Sequence, residues 1–432
     1  MRCAVSTVIS RENFAPVKQY GQRKLQSWVR CTSAFIAVRS RLTWDPRHSR
    51  RVAVATMIPR RYQLKKDAVA IVERGHPWLF RTQMSTAAQV FGDGQWLRLV
   101  DGANRVIGHG IYESEGAIAI RILRRGADTP DAAWLAAQLA AAIDKRAELA
   151  KRTTGVRLVN GESDGLPAVV VDRFGDVAVV ASYSAGSDAI ARFVAKALPD
   201  RNVLWRPARR RRGPALPARV LRGSPPNVAS FVEDGLSFAV DLEAGHKTGA
   251  YLDLRGLRRA LAEAPLQDAR VLNLFAYTGM LGRAAEAAGA TEIVQVDQSA
   301  RALAFAAEHH VGDPAKHRFI EADVFDAMPD GTFDLVIVDP PSMTSQVKHV
   351  PAVLAAYKKL YSAARQRVAP GGVLVAACCT SRIERDVFRE TVKAALGPGF
   401  ALERELPPEI DHAAAFREAD YLKIGWWRAS AR

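Results

Sequence analysis

Five apolar runs of strand-like character, at 271–275, 293–296, 318–321, 334–338 and 373–377, alternate with helix-like stretches toward the end of the chain. No other feature constrains the fold as tightly. Strands that alternate with helices predict a parallel sheet covered by helices on both faces. Such an open α/β sheet holds its ligand outside the carboxyl ends of its strands. The residues at those ends are therefore the first place to look for chemistry.

The first run, Val271-Leu272-Asn273-Leu274, leads into Phe275-Ala276-Tyr277-Thr278-Gly279. One glycine here, with Gly282 beyond it, is not the G-x-G-x-x-G of a dinucleotide site, so a nicotinamide dehydrogenase is disfavoured. The helix after Gly279 can still direct its amide ends at a carboxylate. The second run stops at Asp297, placed to accept hydrogen bonds from a ribose diol. Asp323 follows the third run and could meet an adenine amino group. The fourth runs into Asp339-Pro340-Pro341, where two prolines enforce an extended turn and withhold backbone donors. Each aspartate alone reads as a helix cap or a strand-ending turn. Together they read as an S-adenosylmethionine site, with Asp339 at its mouth, able to hold the edge of a flipped base.

The fifth run ends in Ala376-Ala377-Cys378-Cys379-Thr380-Ser381. A buried thiol is usually structural. At a ligand-binding sheet edge, a thiolate could instead add to carbon 6 of a pyrimidine and make carbon 5 nucleophilic enough to take a methyl group. That chemistry needs a depressed thiol pKa. The other cysteines are Cys3 and Cys31, and none of the four has C-x-x-C spacing, so no metal or disulfide site is expected and a reducing cytoplasm is the default.

Upstream, the 432 residues are too many for one core. Residues 1–57 form a basic extension, read as a disordered arm or a start set too far upstream rather than a targeting segment. Met1–Thr56 holds nine Arg, two Lys, one Asp and one Glu, or +9 of the formal +16. The +7 left over still points to a polyanionic partner. Residues 58–130 show period-two alternation at 95–100 and 117–123 between glycine-rich turns, the pattern of a small β-barrel. In it, Arg74-Gly75-His76-Pro77-Trp78-Leu79-Phe80 mixes cations with aromatics, suited to bases or simply to a core Trp. Residues 131–240 read as an α+β middle domain: an alanine-rich helix from Asp131 to about Thr153, strands on either side of Asp172-Arg173-Phe174-Gly175, a helix over 187–198, and a loop over 206–226 containing Arg209–Arg212. Residues 231–242 predict a hairpin turning at Asp234-Gly235. Residues 241–432 make the α/β domain. No apolar run is long enough to span a bilayer.

Taken in order, seven stretches carry a family resemblance. They are His76-Pro77-Trp78-Leu79-Phe80, Asn160-Gly161-Glu162-Ser163-Asp164-Gly165-Leu166-Pro167, Asp172-Arg173-Phe174-Gly175, Gly245-His246-Lys247-Thr248-Gly249, Asn273 to Gly279, Asp339-Pro340-Pro341 and Cys379. Over about residues 60–430 the chain resembles the bacterial 23S rRNA cytosine-C5 methyltransferases with an N-terminal PUA domain (the RlmI type). The resemblance implies a PUA-like barrel, a middle domain and a Rossmann-like class I methyltransferase domain. It implies S-adenosylmethionine as methyl donor, large-subunit rRNA as partner, no membrane, and leaves a homodimer open. It implies a cofactor loop of Asn273, Phe275, Tyr277, Thr278 and Gly279, with Asp297 at the ribose, Asp323 at the adenine and Asp339-Pro340 beside the methyl group. Lys247, Thr248 and Tyr251 would close over the cofactor. Cys379 falls where the family has its nucleophile, while Cys378 stands in place of Ser and Leu254 in place of a frequent Gln. Two alternatives stay open: a guanine N-methyltransferase on the same scaffold, and an RNA-binding protein that has lost activity.

Overall fold

The computed structural model describes residues 59–85, 91–208, 216–344 and 346–431. The basic extension, with Cys3 and Cys31, and the Arg209–Arg212 run lie outside the described residues.

The first sheet contains β1 (Arg60–Gln63), β2 (Trp78–Phe80), β3 (Trp96–Val100), β4 (Val106–Tyr112) and β5 (Ile118–Arg125), in the order β1-β3-β4-β5-β2. Helix α1 (Lys66–Glu73) buries Ala68 and Val72 against Leu79, Leu97, Leu99 and Ile120. Gly108 and Gly110 are required on β4, because a Cβ there would lie 2.7 Å from the Arg124 carbonyl and 2.5 Å from the Ile120 side chain.

The second sheet runs β10-β9-β8-β7-β6, from β6 (Gly155–Asn160), β7 (Val169–Phe174), β8 (Val177–Ser182), β9 (Asn202–Arg206) and β10 (Arg219–Arg222). Helices α2 (Ala132–Asp144) and α3 (Asp188–Ala197) accompany it. Two expectations change here. The alanine-rich helix stops at Asp144 and continues only as a 3-10 turn at Leu149–Lys151, because buried Arg146 turns away to pair with Asp164. The segment read as loop contains β10, an exposed edge strand that lacks an apolar face. Strands β11 (Val228–Glu233) and β12 (Leu236–Asp241) form the expected hairpin, with Asp234 and Gly235 at φ 46° and 87°, as a tight primed turn demands.

The aromatic stretch at 76–80 joins elements rather than facing outward. Trp78 Nε1 donates to Glu162 Oε1 at 2.8 Å, and the Trp78 ring meets Phe416 edge-on at 4.9 Å. Glu162 belongs to the Asn160–Pro167 stretch, whose Asp164 is held by Arg146.

The third sheet comprises β13 (Arg270–Leu274), β14 (Glu292–Asp297), β15 (His317–Glu321), β16 (Phe333–Val338), β17 (Val368–Cys378), β18 (Phe400–Leu406) and β19 (Lys423–Ala429), in the order β15-β14-β13-β16-β17-β19-β18. The first five are parallel, as expected. Strands β18 and β19 add an antiparallel edge that the run of apolar residues did not announce. β18 is charged and partly exposed, as edge strands are. Strand interiors are apolar on consecutive residues because both faces are covered. Leu272, Val294, Val336 and Leu374 pack on one face with Val353, Tyr357 and Tyr361 of α7 (Val350–Ala364) and Phe388 and Val392 of α8 (Arg385–Leu396). Val271, Ile293, Ile337 and Val375 pack on the other with Leu257 and Leu261 of α4 (Arg255–Ala262) and Leu281 and Ala284 of α5 (Met280–Ala287). Helix α6 (Ala300–His309) follows β14. The strand order reverses between β13 and β16, and a crevice opens there.

Candidate active site

A cavity of about 570 Å³ lies over the carboxyl ends of β13, β14, β16 and β17. Ten residues singled out from the sequence line it: Lys247, Tyr251, Phe275, Tyr277, Thr278, Asp297, Asp323, Asp339, Pro340 and Cys379. Three do not. Thr248 is fully buried and donates its hydroxyl to Asp172, which Arg157 grips with two bonds of 2.8 and 2.9 Å. Asn273 is buried on β13 and donates to Gln295 Oε1 at 3.2 Å. Gly279 sits at φ 76° at the start of α5, where a Cβ would meet Ala306 at 2.8 Å. These three shape the wall from behind.

The loop after β13 is held in an unusual form. Phe275 and Tyr277 both adopt left-handed backbone, at φ 61° and 48°, as does Lys247 at φ 54°. Bulky side chains pay for this conformation and keep it only where the surroundings impose it, which is characteristic of functional sites. The Tyr277 amide donates to Asp297 Oδ2 at 2.8 Å, and the Ser299 amide to Oδ1 at 2.9 Å. Asp297 thus fixes the loop and retains lone pairs toward the cavity. Asp323 is exposed and accepts from the Phe325 amide at 2.9 Å.

The opposite wall is the segment from Gly245 to Tyr251. Arg206 of β9 donates to the carbonyls of Leu242, Gly245 and Lys247 at 2.7, 2.6 and 2.7 Å. Tyr277 accepts from the His246 amide at 2.8 Å, and its ring stacks on that histidine. The Lys247 ammonium lies 4.5 Å from the centre of the Tyr251 ring.

At the floor, the Cys379 thiol lies 3.8 Å from the Pro340 carbonyl oxygen. Cys378, its neighbour, is fully buried in the core beside α7. Asp339 and Cys379 are half-buried and open to the cavity. Burial and the nearby Asp253 carboxylate push Asp339 up to about 7, with Lys247 pulling the other way. Burial and Asp339 push the Cys379 thiol up to about 12, again opposed by Lys247. The protein by itself therefore keeps this thiol protonated.

Sequence reasoning missed Asp253, Arg258 and Tyr421, which also line the cavity. Asp253 sits on the 3-10 turn Leu252–Leu254, and the Tyr421 hydroxyl donates to its Oδ2 at 2.7 Å. A lone acid between two leucines was the available signal. Tyr421 had none, since its position depends on the antiparallel β19.

The known proteins similar to this chain are methyltransferases. A family model described as S-adenosylmethionine-dependent methyltransferase matches residues 199–421, and one for a PUA-like domain matches 63–125. A ribosomal RNA large subunit methyltransferase from Deinococcus radiodurans is 34% identical over 86% of this chain and 98% of its own length. Ribosomal RNA large subunit methyltransferase I from Alteromonas mediterranea is 32% identical over 82% of this chain and 94% of its own. In fold, a methyltransferase from Streptococcus mutans superposes with a TM-score of 0.73 at 22% identity, covering 86% of this chain and 100% of that one. The chain belongs to the S-adenosylmethionine-dependent methyltransferases with an N-terminal PUA-like domain, the family that includes these large-subunit ribosomal RNA methyltransferases.

Proposed function

We propose that this protein methylates carbon 5 of a cytosine in large-subunit ribosomal RNA through Cys379. One observation carries the reading: a thiol stands at the floor of the donor cavity, tied to the Asp339-Pro340 turn. The names of the relatives support ribosomal RNA as substrate, and a cytoplasmic site of action follows from that substrate.

The residues suit the donor. In this reading Asp297 serves the ribose diol, Asp323 the adenine, and the Phe275–Thr278 loop with the start of α5 the amino-acid end, all of them lining one cavity. Lys247 and Tyr251 face them across the cavity. Thr248, Asn273 and Gly279 act in this reading by holding that wall in shape. S-adenosylmethionine supplies an electrophilic methyl on a cationic sulfur, and positive charge in the cavity favours the thiolate over the thiol.

Asp339, its carboxyl raised to about 7, donates in its protonated form to N3 of the cytosine and withdraws electrons from the ring. With the donor's positive charge nearby, Cys379 gives up its proton to solvent, the thiolate sulfur bonds to carbon 6, and the displaced ring electrons make carbon 5 the nucleophile. Carbon 5 would take the methyl group from the donor, whose methyl–sulfonium bond breaks with its electron pair staying on the donor sulfur. A base then removes the carbon 5 proton, and the returning electrons expel the Cys379 thiolate.

Ribosomal RNA carrying 5-fluorocytosine tests the reading, because fluorine cannot leave as the proton does. A stable protein–RNA adduct mapped to Cys379 is expected. Methylated guanine in the product, with no adduct, would favour nitrogen methylation on the same scaffold.

A further inference from the structure

We propose that Asp253, through its Oδ1 atom, binds the α-ammonium group of S-adenosylmethionine. Asp253 is 8% exposed and lines the cavity. Its two oxygens are treated differently. Oδ2 accepts from the Tyr421 hydroxyl at 2.7 Å, whereas Oδ1 is buried and finds no hydrogen-bond partner among the described residues. A buried carboxylate oxygen without a partner is costly and marks a place for a ligand or ion.

Charge selects the kind of ligand. Burial disfavours the ionised carboxylate, but Lys247, His412, Arg157 and the Tyr421 hydroxyl outweigh it and hold Asp253 at about 2. Oδ1 is thus a full acceptor at neutral pH and cannot itself donate. The Lys247 ammonium does not satisfy it, because that group rests over the Tyr251 ring. Asp297 and Asp323 add further carboxylates around the same cavity. A cationic nitrogen fits this oxygen better than a neutral amide or amine.

Position then selects the ammonium. Asp253 is on the turn leading from Tyr251, whose ring meets Tyr277 at 5.3 Å, on the loop that precedes α5. It is remote in sequence from Asp297 and Asp323, the residues suited to the nucleoside half. The Tyr421 hydroxyl occupies the other carboxylate oxygen at 2.7 Å and leaves Oδ1 as the one unpartnered among the described residues. Asp253 is a positioning residue for the donor, and the inference rests on the family's donor and not on the cytosine reading.

Binding alone tests it, without RNA or turnover. Titration calorimetry on the full chain compares S-adenosylhomocysteine, its analogue lacking the α-amino group, and 5′-methylthioadenosine, which lacks the amino-acid end. Wild-type protein should bind the desamino analogue about 10- to 100-fold more weakly than S-adenosylhomocysteine. Asp253→Asn should lose a similar factor for S-adenosylhomocysteine, bind methylthioadenosine within about twofold of wild type, and no longer distinguish the two amino-acid-bearing ligands. Equal wild-type affinity for S-adenosylhomocysteine and its desamino analogue overturns the assignment, and does so whether or not the variant folds. So does an Asp253→Asn protein that weakens all three ligands alike, which is a structural role, or one that loses RNA methylation with donor affinity unchanged, which assigns Oδ1 to the RNA base.

Discussion

The Cys379 thiol reaches the Pro340 carbonyl oxygen at 3.8 Å, joining the end of β17 to the turn that leaves β16. This contact puts a thiol, a carboxyl group and a proline turn from adjacent parallel strands at one cavity floor. Replacing Cys379 with Ala should abolish methyl transfer to ribosomal RNA while changing S-adenosylmethionine affinity by less than about threefold, because the thiol is asked to attack the base and not to hold the donor. Single-turnover methylation and titration calorimetry read the two effects separately. Full activity in this variant would remove the covalent route.

Asp339 makes the stability of the ligand-free protein depend on pH. Its carboxyl rises from an ordinary 3.8 to about 7 on folding, so the folded state binds its proton more tightly than the unfolded chain does. Its contribution is complete below about 3.8 and is lost as pH rises through about 7. Asp339→Asn, which cannot ionise, should therefore raise the melting temperature relative to wild type at pH 8, with little gain at pH 4. Thermal melts at the two pH values check the sign.

His310 works in the opposite sense. It is fully buried, its Nδ1 bonded to the Thr278 carbonyl at the cavity loop and its Nε2 accepting from the Ala239 amide at 2.9 Å. Burial lowers it from 6.5 to about 4, against the pull of the Thr278 carbonyl. Stability from this neutral histidine is present above about 6.5 and disappears as pH falls through about 4. His310→Gln should flatten the acid limb of the melting profile between those values.

The pair of Arg157 and Asp172 anchors the loop that carries Thr248. Asp172 is fully buried, and removing it would leave the Arg157 guanidinium without its carboxylate partner. Asp172→Ala should cost about 3–5 kcal/mol, seen as an earlier urea transition. Arg157→Met combined with Asp172→Leu should recover part of that loss, since the uncompensated charge is then absent.

Gly282 has no room for a side chain. A Cβ there would lie 2.5 Å from Gln295 Oε1, the atom that accepts from Asn273. Gly282→Ala should destabilise the protein by about 1–3 kcal/mol through displacement of Gln295. Because Asn273 and Gly279 pack on the same glutamine, donor affinity should fall with stability, which calorimetry on the folded fraction can show.

The sequence by itself determined the parallel sheet and most of its working edge. Apolar runs that end in Asp297, Asp339 and Cys379 are local signals, and a sheet of known hand turns them into a site without further information. The hairpin at Asp234-Gly235 was legible for the same reason. Only the tertiary structure decided what lies in the cavity wall and what lies behind it. Thr248 and Lys247 are neighbours, yet one is buried against Asp172 and the other faces the donor cavity, because the Arg157–Asp172 pair comes from the middle sheet. Asp253 and Tyr421 are 168 residues apart and meet only because β19 closes the sheet antiparallel beside β17. The left-handed backbone at Phe275 and Tyr277 is held by the Tyr277 amide donating to Asp297 and the His246 amide donating to the Tyr277 hydroxyl, not by local preference. Long-range pairing of charges and hydroxyls has no period along the chain, so pattern reading reached the strand ends but stopped short of the residues that hold them.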